Sequence, residues 1–248
     1  MTWVWPVVPA RDLPALTADE MRQVDRVMIE DLGIELVQMM ENAGLHLAEL
    51  ARSRFSQLRD VPVTVLAGGG NNGGCGLVCA RHLANWGASV SVVLDRLPNE
   101  IAGIPAHQMR ILRRMGVSFL EEPPVRTGLI VDALIGYGLS DDPKGRSAEF
   151  IERANRTDVP TFSLDTPSGL DTTTGRPADP CIQATATLTL ALPKRRLLTA
   201  EARSVVGCLF LADISVPAVV YARMGLGRQR LFEEWTLVEL ELPQGSTA

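Results

Sequence analysis

One stretch constrains this chain more than any other. A short β-branched run, Val63-Thr64-Val65-Leu66-Ala67, passes directly into Gly68-Gly69-Gly70-Asn71-Asn72-Gly73-Gly74. Five glycines in seven residues cost backbone entropy, and a close approach of backbone to a ligand offsets that cost. A strand that opens through glycines into a helix presents bare amides at a helix N-terminus, which suits a phosphate. The competing reading is a tight strand-to-helix turn with no ligand.

The residues beyond the turn alternate between two periods. Apolar runs at 89–94, 129–135, 161–164, 185–192 and 208–214 read as strands. Helical patterns around 106–115 and 148–155 fall between them. This alternation predicts an α/β fold, a three-layer αβα Rossmann-like sandwich with a mostly parallel sheet. A helical lead-in precedes it. Thr17-Ala18-Asp19-Glu20 forms a capping box, followed by Met21, Val24, Val27 and Met28 on one face. A second helix spans about 34–55, and its mid-helix Gly44 predicts a close packing contact. Residues 1–15 read as an arm, 16–227 as the domain and 228–248 as a loosely attached tail.

Charge and cysteine content exclude several classes. The formal net charge is −5, and no basic stripe suits nucleic acid. Cys75, Cys79, Cys181 and Cys208 form no CxxC pair, so reduced thiols and a cytoplasmic setting are expected. The N-terminus lacks the pattern of a signal peptide, and no apolar stretch approaches the ~18 residues of a membrane span.

Ligands of such sheets bind at the carboxyl ends of the strands. That rule selects three turns: 68–76, 132–142 and 165–171. Asp132 lies within an apolar run, where a carboxylate must be paired, bound to a cation or satisfied by backbone amides. Asp165 precedes Pro167-Ser168-Gly169, which suits either oxygen ligation and acid/base work or a plain Asp-initiated turn. Gly68, Gly70 and Gly73 also match G-x-G-x-x-G, with Asp95 at the end of the next strand, as in nicotinamide-dependent oxidoreductases. Cys75 at a helix N-terminus would have a lowered pKa and a reactive thiol, unless it is a tolerated small residue. Cys79 and His82 share its helix face, at a spacing that can gather metal ligands. His46 and His107 read as structural or surface residues.

Five ordered motifs together resemble the YjeF N-terminal domain family of NAD(P)H-hydrate epimerases. They are Leu16-Thr17-Ala18-Asp19-Glu20-Met21 with Asp25, Met40-Glu41-Asn42-Ala43-Gly44, the run from Gly70 to Arg81, Asp132-Ala133-Leu134-Ile135-Gly136, and Asp165-Thr166-Pro167-Ser168-Gly169. The helical lead-in is absent from ordinary dehydrogenases. The resemblance implies a homodimer, a bound potassium ion (K+) and a hydrated NADH or NADPH as substrate. By position, Asn72, Asp132 and Ser168 would ligate potassium. Asn71, Asn72, Gly73, Gly74, Cys75, Gly136, Tyr137, Gly138, Leu139, Ser140, Asp141, Asp142 and Asp165 would contact the substrate. Asp165 would also be the catalytic acid/base. The family's partner activity is a dehydratase, expected here as a separate protein. The chain departs from the family at Cys75, where an aspartate is usual, and in the acidic Asp141-Asp142, where a basic residue is common and Lys144 is the nearest cation. The Cys75 departure opens the alternative of a non-catalytic nucleotide-binding module.

Overall fold

The computed structural model describes residues 5–55, 57–139, 141–227 and 230–242. Its nine strands are β1 (Val7–Pro9), β2 (Pro62–Ala67), β3 (Ser89–Leu94), β4 (Ser118–Leu120), β5 (Leu129–Ala133), β6 (Thr161–Leu164), β7 (Ala186–Leu190), β8 (Cys208–Ala212) and β9 (Leu237–Glu241). The α-helices are α1 (Ala18–Arg26), α2 (Leu36–Arg54), α3 (Asn71–Asn85), α4 (Gly103–Arg114), α5 (Gly145–Asn155), α6 (Arg203–Val206) and α7 (Ala218–Arg223).

All strands form one sheet in the order β1-β9-β8-β7-β6-β5-β2-β3-β4. Every pairing is parallel except β8 with β9. The run β4-β3-β2-β5-β6-β7 is the doubly wound order, with its switch point between β2 and β5. Period-two alternation splits the side chains of β2: Val63, Val65 and Ala67 join the core under α1 to α4, while Leu66 joins the core under α5. Helices therefore cover both faces, and the three-layer α/β expectation holds.

Two packing contacts fix the helices near the site. A Cβ on Gly76 would lie 2.4 Å from that of Ala133, so α3 sits directly on β5. A Cβ on Gly44 would lie 2.5 Å from that of Val78, which is the close α2–α3 contact expected there. The capping box at Thr17 and Glu20 is also present.

One expectation needs correction. The segment after 228 is not a loose tail throughout, because β9 pairs antiparallel with β8. The arm packs on the body: it supplies β1, paired in parallel with β9. β1 and β9 thus close the sheet together at one edge. Trp5 packs against the main core, and Trp3 lies outside the described residues.

Candidate active site

A cavity of about 480 Å³ opens at the carboxyl ends of the strands around the switch point. The turn after β2 forms its floor. A Cβ on Gly68 would sit 2.0 Å from the Leu134 carbonyl oxygen, so only glycine lets the loops after β2 and β5 meet. The helix begins at Asn71, with Gly70 as its N-cap. Asn71 and Asn72 therefore lie in the first turn, where free amides point at a ligand.

Asp165 is the chemical centre. It follows β6 in a left-handed conformation, φ 66°, which aspartate tolerates better than most residues but which still costs energy. Its carboxylate is buried, and the buried ammonium of Lys194 donates to Oδ1. The Tyr137 amide donates to Oδ2 at 3.1 Å. Lys194 also donates to the Leu190 carbonyl, which ties it to the end of β7. The Tyr137 hydroxyl donates to Asp25 Oδ2 at 2.6 Å, so α1 closes one side of the site. Burial raises the Asp25 carboxyl above its ordinary range, opposed by the Tyr137 hydrogen bond and the Lys194 charge. The Tyr137 phenol is also raised, by burial and by Asp25.

Asp132 stands behind this centre, fully buried. It accepts from Ser163 Oγ (2.8 Å), the Ser168 amide (2.9 Å), Ser168 Oγ (2.5 Å) and the Leu134 amide (3.3 Å). Among the described residues no cationic side chain pairs with it. Burial raises its carboxyl, and these hydrogen bonds oppose the rise. Four hydrogen bonds reach its oxygens, and when ionised it has no cationic partner among the described residues. Ser168 Oγ also accepts from the Ile135 amide at 2.8 Å. Asn72 Nδ2 is buried with no partner.

The cavity gathers six of the expected contact residues: Asn71, Asn72, Gly136, Tyr137, Gly138 and Asp165. It does not gather Gly73, Gly74, Cys75, Leu139, Asp141 or Asp142. A side chain on Gly73 would run into the Gly68 backbone, and one on Gly74 into Met40, so both serve packing of α3. Leu139 is half-buried, and Asp141, Asp142 and Lys144 are exposed. Ser140 lies outside the described residues. Cys75 is inside the second turn of α3, not at its N-terminus, because the helix starts four residues earlier. Burial pushes its thiol up to about 12, which favours the tolerated small residue over the reactive thiol. Cys79 is buried as well, and among the described residues no three His, Cys, Asp or Glu side chains are grouped to hold a metal ion. His46 is buried against Glu49, and His107 is exposed.

Sequence reading missed Lys194, Arg22, Arg96 and Ser147. Lys194 follows Leu192-Pro193 after β7, so the carboxyl-end rule could have found it.

The YjeF-related protein N-terminus family matches residues 36–196, from the start of α2 to just past Lys194, which meets Asp165. This chain belongs to that family. The YjeF N-terminal chain is 40% identical over 216 residues to an NAD(P)H-hydrate epimerase of Dehalogenimonas lykanthroporepellens, covering 85% of this chain and 86% of that one. It is 37% identical over 243 residues to a bifunctional NAD(P)H-hydrate repair enzyme of Moorella thermoacetica, covering 93% of this chain. It spans about half of that bifunctional relative, 46% of its length. The crystal structure of yeast ynu0 superposes with a TM-score of 0.78 over 92% of this chain and all of that one, at 24% identity. That likeness concerns the fold. No described helix is long and apolar enough to cross a membrane.

Proposed function

We propose that this chain is an epimerase interconverting the R and S hydrates of NADH and NADPH, with Asp165 as its acid/base. The carrying observation is Asp165 itself: a buried carboxylate in left-handed backbone that lines the switch-point cavity of a chain 40% identical over 85% of its length to a named NAD(P)H-hydrate epimerase.

The substrate bears a hydroxyl on the ring carbon beside the nitrogen. The proton shared between the Lys194 ammonium and the Asp165 carboxylate passes through Asp165 to that hydroxyl as the C–O bond breaks. The oxygen leaves as water with the bonding pair, while the nitrogen lone pair forms the iminium. Water then adds to either face, and the Asp165 carboxylate takes its proton, so no net oxidation occurs. Lys194 holds the Asp165 carboxylate in place and balances its charge when ionised. Tyr137 fixes the second oxygen through its amide and closes the site through Asp25. The pyrophosphate is placed at the amides of Gly70 to Asn72.

Asn72, Asp132 and Ser168 fit a potassium ion in donor type and in charge. Their ligating atoms are oxygens, and Asp132 when ionised has no cationic side chain as partner among the described residues. A bound potassium would supply positive charge near the pyrophosphate of an acidic protein. If it binds, replacing potassium by lithium at equal ionic strength should lower the thermal midpoint.

The binding-only alternative rested on Cys75 meeting the substrate. Cys75 is buried and does not line the cavity, which favours the enzyme. A homodimer in the cytoplasm and a dehydratase acting on the same hydrates complete the proposal.

The test is epimerisation of the purified R hydrate in potassium buffer, followed by chromatography. Asp165→Asn should lower the turnover by roughly 10²–10⁴ with the cavity still binding nucleotide. Full activity in that variant would remove Asp165 from the chemistry.

A further inference from the structure

Asp95 matched the acid of a dinucleotide-binding fingerprint, yet the proposed chemistry does not use it. It lies at the end of β3, beside the glycine turn, and both Asp95 and Arg96 line the cavity. In doubly wound folds the residue at this strand end lies beside the adenosine ribose. An acid there accepts from the 2′-hydroxyl, and an arginine there accommodates a 2′-phosphate.

The hydrogen bonds decide between the two. Asp95 Oδ1 accepts from Arg96 Nε at 2.9 Å. Oδ2 accepts from Arg96 Nη2 at 3.2 Å and from Ser147 Oγ at 2.9 Å. Its side chain is only 4% exposed. The acid is therefore neutralised and enclosed, a poor acceptor for a ribose hydroxyl. Arg96 is the reverse: 46% exposed, with a planar fork of five donors, of which Asp95 engages two nitrogens. It packs over the turn, its Nε 2.3 Å from where a Cβ on Gly69 would be, so a side chain there would push the guanidinium aside. The other arginine of the cavity, Arg22, lies 6.0 Å from the Tyr137 ring, at the Asp165 end.

We infer that Asp95 and Ser147 present Arg96 as the reader of a 2′-phosphate, so that the site prefers hydrates of NADPH over those of NADH. The inference deepens the epimerase reading and rests on it for the identity of the whole substrate.

Titration calorimetry with two adenosine probes tests it on the intact protein, independently of turnover. Adenosine 2′,5′-bisphosphate should bind roughly tenfold more tightly than adenosine 5′-monophosphate, as expected for a charge-assisted hydrogen bond. Arg96→Met should abolish that ratio while leaving monophosphate binding unchanged, which also reports that the cavity survives. Asp95→Asn, with one negative charge fewer, should keep the preference. Equal binding of both probes by wild type would overturn the assignment. So would equal weakening of both by Arg96→Met, which makes Arg96 a pyrophosphate contact. Loss of monophosphate binding alone in Asp95→Asn would return the role to the acid. Absence of binding by either probe would remove nucleotide from this end of the cavity. Epimerisation is followed in the same preparations. Probe preference without epimerisation sinks the epimerase reading alone, and epimerisation with equal probe binding sinks the Arg96 assignment alone.

Discussion

At the residue scale, the centre depends on two buried carboxylates with different partners. Asp165 has a full ion pair with Lys194, whose side chain is 1% exposed. Removing one member of a buried pair leaves the other charge uncompensated, at about 3–5 kcal/mol. Lys194→Met should therefore lower the unfolding free energy by about that much in a urea titration. An unchanged midpoint would mean that the pair adds nothing to the fold. Asp25 has only the Tyr137 hydroxyl and a more distant charge, and its carboxyl is raised above the ordinary 3.8. A raised native pKa means that the folded state keeps a proton which the unfolded chain has released. Stability from this group is then greatest at low pH. It declines as pH rises from 3.8 through the raised native value, and is level above that. Asp25→Asn removes this dependence, so its stability relative to wild type should improve across that window. A difference flat with pH would contradict the burial argument. Asp165 and Asp132 were legible because each breaks a pattern, a carboxylate against an apolar run. Lys194 was not, since a lysine after a strand reads as surface until the fold buries it. Cys75 was misread because glycines suggested a longer turn, whereas α3 starts at Asn71 and takes Gly73, Gly74 and Cys75 into its packed wall.

At the element scale, glycines decide how closely the layers approach. Gly44 brings α2 onto α3. Alanine there would gain helix propensity of up to about 1 kcal/mol. Its Cβ would also fall 2.5 Å from Val78 and 2.7 Å from the Cys75 carbonyl. Overpacking of this kind costs about 1–3 kcal/mol. Gly44→Ala should thus be destabilising in thermal unfolding. A stabilised single variant would show that the helices can separate freely. The central strands and the lead-in helices were legible because their periods are long and regular. β1 and β4 were not, at three residues each. Nor was β9, because a short strand with Glu239 and Glu241 on one side resembles a polar tail.

At the scale of the whole molecule, the parallel core has one place where adjacent strands feed loops in opposite directions, between β2 and β5. The glycine turn, Asp165, Tyr137 and Arg96 all converge there. The sequence order of the motifs already pointed to this convergence, since each follows a predicted strand. The third dimension adds α1, which brings Asp25 and Arg22 to the rim from a segment that the alternation alone leaves outside the sheet. The central claim is that this convergence performs dehydration and rehydration of a nicotinamide hydrate. The most direct measurement is the conversion of R to S hydrate in ¹⁸O-labelled water containing potassium, with product isotope read by mass spectrometry. The account predicts epimerisation well above the protein-free rate, with the ¹⁸O label entering the hydrate at that same enhanced rate. Conversion no faster than without protein, or conversion without label uptake, would contradict it.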